Sequence, residues 1–541
     1  FTTSHDEYNI LHTTGLWEEG DKWSYTRSPI ETDNTLILEG RTGTLDTGNK
    51  TVGKLIIRPG AKLTIESGKS LITTDSLNIE EGATLEIESG GSLIVNGAST
   101  GKITYKRYLP NDNWYTISPP VQGQTFGSFE GSNNLATGNG YVGLITYHND
   151  GGGYNSTGWE FYDYPLNPTD SARVLETGKG YAVRLPDAGT ISFTGAAATS
   201  NVIIDTPVGA TDFSYLIGNP YPAYLPANAT TGSYTIIDEN DSNMFEKSLW
   251  IWDNIQYDYI SINDASTARY IAPGQGFFIQ SNPEGTQRVK FLKTQRYHQT
   301  DVFNRTAQST TTRPEIKLFV DDGVRKRDTD IFYIEGTTTG FDNGYDATMF
   351  TILPDVSEIF THMVSDSEGK DFDIQSLPNS NYEEMVVPIG ISAVAGKELI
   401  FSATAVNFPE GIHVYLEDKE TETFTRLDLE GAEYKVTLTE DITTIGRFYL
   451  HTNTSAILSL NSVDTQHISI YLKDKDLLNV TGIYNQESQL KIYNIQGKEV
   501  FATNFKGTGL NEIRLPKLSS GIYIVRLQNK SGEVNKKIVL H

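Results

Sequence analysis

LIIRPGAKLTIESGKSLIT (55–73) and LNIEEGATLEIESGGSLIV (77–95) are two versions of one pattern. Gly60/Gly82, Leu63/Leu85, Ile65/Ile87, Gly68/Gly90 and Leu71/Leu93 each recur after 22 positions. A fixed period of short alternating strands and glycine turns marks a β-solenoid rung. One rung cannot bury its own apolar face, so stacking must stabilise it. Leu63, Ile65 and Leu71 are therefore expected inside, with Leu85, Ile87 and Leu93 directly above. NTLILEGRTGTLD (34–46) is predicted as a degenerate first rung, and GKITYKRYL (101–109) as the close of the stack.

The rest of the chain has the same character. In 541 residues there are 49 Gly and 29 Tyr, and apolar runs are short. That composition suits many short strands, so the fold class is all-β: a short N-terminal β-solenoid, sandwich-like modules in the middle and an Ig-like sandwich at the C-terminus. No long stretch has helical periodicity. With no Cys, disulfides, thiolate catalysis and Cys-based metal sites are excluded. No run reaches the ~20 apolar residues of a membrane-spanning helix. No leader pattern is visible at Phe1, as expected of a mature chain or of one with residues before it.

Net charge is −25, which argues against sequence-independent nucleic-acid binding. The charge is uneven. Residues 490–541 hold nine Lys or Arg against three Glu, so the 489 residues before them carry −31.

Between the solenoid (1–105) and the tail, two related β-rich modules are expected at 106–200 and 201–300. Gly178-Lys-Gly-Tyr and Gly274-Gln-Gly-Phe lie 96 positions apart, NWYTISPPV (113–121) echoes FSYLIGNPYPAYL (213–225), and Trp159-Glu-Phe-Tyr echoes Trp250-Ile-Trp. Alternating segments such as EIKLFVDD, TDIFYIEG, GIHVYLEDK, ETFTRLD and GRFYLHTN predict a β-sandwich over 301–453. A small, polar stretch at 454–466 is the expected linker, with Thr454, Ser455 and Ala456 as a candidate cleavage point. The last domain is then 467–541. Five to seven short strands are expected there, ending in a hairpin whose final strand carries Lys536 and Lys537.

In that domain the order LKIYNIQGKEV, LSSGIYIVRLQN, KKIVL closely resembles the type A C-terminal sorting domain of Bacteroidota type IX secretion substrates. The resemblance rests on Ile492, Tyr493, Gly497 and Val500 in the I-Y-N-x-x-G turn, on Gly521, Ile522 and Tyr523 in the L-x-x-G-I-Y strand, and on Lys536 and Lys537. It covers roughly 468–541 and departs from many members in ending on His541 instead of Lys. Upstream blocks are similar to segments that recur in such substrates. The resemblance implies export through periplasm and outer membrane to the cell surface or medium. It also implies two partners, a translocon barrel and its sorting-domain-binding outer-membrane companion. Steering of the basic module to an acidic receptor and pairing through an edge strand are the expected means. A plainer role for the two lysines is to guard an exposed edge against aggregation.

Chemistry-bearing motifs are sparse. Leu45-Asp46-Thr47-Gly48 matches an aspartic-protease loop but lacks a second copy, so a turn is expected. The nine His are scattered, with no H-E-x-x-H, and no G-x-S-x-G is present. Gly178-Lys-Gly lacks P-loop spacing. No catalytic or metal residue is assigned, and no cofactor. Calcium is the one ion with candidate loops, DENDSN (238–243) and VDDGVRKRDTD (320–330), and both are expected to be solvated turns. Trp17, Trp23, Trp114, Trp159, Trp250 and Trp252 are expected in cores more than on a sugar-stacking surface. Ser76 and Ser171, in D-S-L and D-S-A, match the short O-glycosylation acceptor of such exported proteins. The resulting expectation is a non-enzymatic cargo acting in adhesion, surface structure or gliding, with surface glycans or other adhesins as body ligands. The alternative is a secreted hydrolase or carbohydrate-binding protein with the same tail.

Overall fold

In the computed structural model, which describes residues 7–149, 158–209, 213–228, 234–254, 256–299, 312–350, 357–364, 370–382, 385–453, 468–530 and 532–540, the 22-residue period becomes parallel strand pairing. Leu63 pairs with Leu85, Ile65 with Ile87 and Leu71 with Leu93. All six are at most 1% exposed. Where the chain turns, Gly60 N–H donates to the Gly82 carbonyl at 3.0 Å and Gly68 N–H to Gly90 at 3.1 Å. These four glycines hold φ between +69° and +85°, which an L side chain resists. Outside, Lys62 and Lys106 bracket Glu86 at 2.6 and 3.1 Å.

The degenerate rung is real. Thr35–Ile37 stacks on Leu55–Ile57 and Thr42–Leu45 on Lys62–Ile65. A rung before it escaped the sequence reading. Asn9–Leu11 pairs with Thr35–Ile37, and Gly15–Leu16 with Gly43 and Thr44. The insertion over 17–33 hides its period. That insertion is held by Trp17 and Trp23, buried with ring centroids 5.2 Å apart. At the other end Ile103–Leu109 continues the stack on Glu86 and Ile87, then pairs antiparallel with Gly189–Gly195. One apolar core therefore runs from Leu11 to Ala197, across the expected boundary at 105/106. Contacts group the chain into two units, Phe1–Ser309 and Thr310–His541.

The duplication shows in strand order. The first module has β1 (Tyr115–Ile117), β2 (Tyr141–Tyr147), β3 (Trp159–Asp163) and β4 (Tyr181–Val183). The second has β5 (Ser214–Gly218), β6 (Met244–Asp253), β7 (Asp258–Ile262) and β8 (Gly276–Ser281). Their antiparallel orders are β1-β4-β2-β3 and β5-β8-β6-β7, position for position the same. This corrects one expected echo. Trp159 opens β3, whereas Trp250 lies on β6, the counterpart of β2; similar aromatic spacing had aligned non-equivalent strands.

Each module's Gly-x-Gly grips the other module. Lys179 bridges Ile217 and Gln275 bridges Ile117, both antiparallel. Gly180 N–H donates to the Leu216 carbonyl at 2.9 Å, and Ser118 N–H to Gly274 at 3.2 Å. A Cβ on Gly180 would stand 2.4 Å from Leu216 Cγ, and one on Gly276 2.8 Å from the Ile117 carbonyl oxygen. Close backbone approach between the copies is thus the reason for the repeated glycines.

In the second unit all five alternating segments quoted above form strands, in one continuous sheet from Thr423–Arg426 to Tyr434–Thr437. The sheet curls until its ends meet. Phe401 and Phe448 rings lie 4.8 Å apart, and Tyr434 Oη donates to Asp418 Oδ2 at 2.6 Å. The expected sandwich is therefore a folded-over sheet with an apolar interior that includes Leu318, Ile389, Leu399 and Leu416.

Candidate functional site

The C-terminal module consists of β9 (Ser469–Asp474), β10 (Leu477–Asn494), β11 (Glu499–Arg514), β12 (Gly521–Asn529) and β13 (Gly532–Leu540). Two of these are long, not short as expected. Bulges between Thr481 and Ile483 and between Tyr484 and Glu487 bend β10. Its first half pairs with β9 and the end of β11, its second half with the start of β11 and with β12. Two layers thus come from one sheet, closing on Ile470, Leu478, Val480, Leu490, Ile492, Val525 and Leu527.

The recognised residues divide by role. Asn494 Oδ1 accepts the N–H groups of Gln496 and Lys498, both at 3.0 Å, while Gly497 N–H donates to the Asn494 carbonyl at 2.9 Å. Gly497 has φ +77°. The I-Y-N-x-x-G spacing is thus an Asx-type turn with glycine where the left-handed region is needed. Ile492 is fully buried and Val500 packs on the core. Tyr523 is 8% exposed and its hydroxyl donates to the Ser519 carbonyl at 2.8 Å, tying the L-x-x-G-I-Y segment back on itself. Gly521 begins β12. These residues build the module.

The others form its surface. Ile522 and Ile524 on β12, with Val539 on β13, are 46%, 38% and 40% exposed. Tyr493 pairs with Ile524, and the Arg526 guanidinium lies 5.4 Å from the Tyr493 ring. Among the described residues strand β13 is bonded only to β12, at the sheet edge. The two lysines differ. Lys537 pairs with Ile524 and is exposed on the outer face, whereas Lys536 pairs with buried Val525 and shares the core-facing side with Ile538. A charge turned inward on an edge strand is a known guard against strand addition.

Thr454, Ser455 and Ala456 lie outside the described residues. Ser76 is half-buried in a rung strand, between Lys54 and Ala98 of its neighbours. Ser171 is half-buried in the short helix Pro168–Ala172, so close to Gly127 that a Cβ there would lie 1.9 Å from its Oγ. Asp46 follows strand Thr42–Leu45, and Gly48 turns the chain with φ +56°. DENDSN is not a loop. It forms helix Ile236–Asn240 and a 3₁₀ turn, because Thr235 and Asp238 cap the helix reciprocally. In the second acidic segment Asp322 accepts from Lys397 at 2.7 Å and Ser357 at 2.8 Å; burial raises its carboxyl, but these hydrogen bonds together with those from the Arg325 and Val324 N–H groups overcome that and hold it well below the usual range. Among the described residues no three His, Asp or Glu side chains converge as a metal site.

Several pairings were invisible in the sequence because the partners meet across strands. His451 contacts Glu417 at 2.9 Å, His362 contacts Asp371 at 2.8 Å, and His148 contacts Glu160 at 2.8 Å. Glu160 also accepts from Tyr162 at 2.7 Å and pairs with Arg173; burial raises its carboxyl, but the hydrogen bonds with His148, Tyr162 and Arg173 together overcome that and bring it down to about 2. The tryptophans split. Trp17, Trp23 and Trp250 are core, as expected, but Trp114, Trp159 and Trp252 are only half-buried.

A family model described as domain of unknown function (DUF8693) matches residues 12–452. A second, described as secretion system C-terminal sorting domain, matches residues 473–541. No curated protein matches the chain.

Proposed function

We propose, for a chain that belongs to the DUF8693 family and ends in a secretion system C-terminal sorting domain, a non-enzymatic role at the cell surface in adhesion, surface structure or gliding-associated display. The chain is a cargo of the type IX secretion system, exported to the cell surface or the medium. The observation that supports the surface role is how the first unit uses its residues. Rungs stack on rungs, and the two modules hold each other by reciprocal Gly-x-Gly contacts, which makes a rigid display scaffold. The sorting domain would present the Tyr493, Ile522, Ile524 and Lys537 face to the export machinery, with electrostatic steering of the basic module as the docking mode.

Two experiments test these parts separately. Residues 454–541 fused to a neutral reporter in a type IX-competent host should carry it outside. A reporter kept inside rejects the signal. For the body, deletion of the gene should impair adhesion or gliding, and purified chain should be inert on a panel of peptidase and glycosidase substrates. Turnover of any of them overturns the non-enzymatic role.

A further inference from the structure

We propose that the cleft between Trp114, Tyr141 and Phe161 of the first module binds a neutral saccharide. The proposal rests on the surface reading above, which it deepens by naming a ligand class.

The cleft encloses about 640 Å³, within the roughly 300–1,000 Å³ of small-molecule sites. One wall is aromatic. Trp114 precedes β1, Tyr141 begins β2 and Phe161 lies on β3, so one sheet brings together residues far apart in sequence. Phe161 stands edge-on to Trp114 at 6.3 Å and tilted to Tyr141 at 5.7 Å. All three rings are half-buried. Behind them Leu135, Val142 and Leu185 form a buried floor. The Trp114 carbonyl accepts the Trp252 indole N–H at 3.0 Å, which fixes the wall from the second module.

Polar residues on a hydrogen-bonded backbone also line the cleft. Ala136 N–H donates to the Arg184 carbonyl at 2.9 Å, Arg184 N–H to Gly143 at 2.9 Å, and Gly143 N–H to Ala136 at 2.7 Å. An Asn139-Gly140 turn, both residues at positive φ, joins Gly138 to Tyr141 and places Asn139 at the mouth. Asn134, Thr137 and Asn139 are exposed there. Amides and hydroxyls both donate and accept, which is what sugar hydroxyls require, while the aromatic wall suits the apolar face of a pyranose ring.

Charge selects the class. Among the described residues no Asp or Glu lines the cleft, so a cation finds no counter-ion among them. Among the described residues Arg184 is the one charged group lining it, and its guanidinium is already engaged by Asp112, through the carbonyl at 2.7 Å and the carboxylate at 3.4 Å. A chain of net charge −25 also repels anions at a distance. A neutral sugar remains.

Full-length protein on a glycan array of neutral and acidic oligosaccharides, followed by calorimetry and tryptophan fluorescence with the best ligands, tests this. Neutral glycans should bind, and Trp114→Ala should weaken binding at least tenfold. Asn139→Gly, which removes the amide side chain and keeps the positive φ of the turn, should weaken it several-fold, so the test survives if Trp114→Ala fails to fold. Absence of neutral-glycan binding, a preference for acidic glycans, or binding unaffected by Asn139→Gly and Trp114→Ala overturns the proposal. Its failure is distinct from failure of the surface role. Cells that lose adhesion on deletion while the protein ignores sugars reject the cleft alone. Sugar binding with unchanged adhesion and gliding rejects the surface role alone.

Discussion

Gly218 lies directly against Ser118, its equivalent in the other module: a Cβ on Gly218 would fall 2.4 Å from the Ser118 Cβ and 2.4 Å from the Gln275 carbonyl oxygen. Residues 118 and 218 thus face each other where the two copies meet, flanked by the Ile117–Gln275 and Ile217–Lys179 bridges.

Gly218→Ala should therefore be costly although only a methyl is added. Backbone on one side cannot yield, and overpacking of this kind costs about 1–3 kcal/mol. Ser118→Gly should restore only part of the loss, because the Gln275 carbonyl stays in place. Urea midpoints of the single and double variants give the answer.

Acid should loosen the first unit through His298. Its Nδ1 lies 2.6 Å from Ser92 Oγ, and its Nε2 is buried. Burial, with the nearby Arg296 guanidinium, depresses the imidazole to about 4. Below its ordinary value of 6.5 the unfolded chain takes a proton that the folded chain refuses, so stability is lost as pH falls from 6.5 towards 4. The expected loss is about 1–3 kcal/mol. Melting temperature against pH should show that slope, and His298→Asn should flatten it.

The two edge lysines should behave differently. Lys536→Val removes the inward charge from β13 and should produce dimers or aggregates in light scattering of the full chain. Lys537→Glu should leave the oligomeric state unchanged and lower export of the reporter fusion. Equal behaviour of the two variants would contradict their opposite faces.

Gly497→Ala should cost about 1 kcal/mol, since the residue must hold φ +77°. Asn494→Ala removes two accepted hydrogen bonds and should cost about 1–2 kcal/mol. Hydrogen exchange on the full chain should show faster exchange over β10 and β11, with the rung strand Lys62–Ile65 unaffected.

Local and periodic features were legible. A rung's partner sits one repeat away, so Leu63 predicts Leu85 and Leu71 predicts Leu93 without any knowledge of the rest. Turn chemistry is equally local, and Asn494 and Gly497 announce their hairpin. The rung at Asn9–Leu11 and Gly15–Leu16 was missed because its period is broken by inserted residues. DENDSN was misread because composition suggests a loop, while one threonine before it supplies a helix cap.

By itself, then, the order of residues determined the solenoid, the duplication, the curled sheet's strands and the turns of the export signal, since each follows from side-chain alternation or from neighbours a few positions away. Only the tertiary structure decided that each Gly-x-Gly belongs to the opposite module, that Lys536 and Lys537 face opposite ways on an edge, and that Trp114 borders a cleft while Trp250 fills a core. Those outcomes depend on which surface covers a strand, and that surface comes from parts of the chain up to 160 residues away, as when Thr116 Oγ1 donates to the Gly276 carbonyl. Alternation along a strand says which side chains share a face, but not what will lie against it.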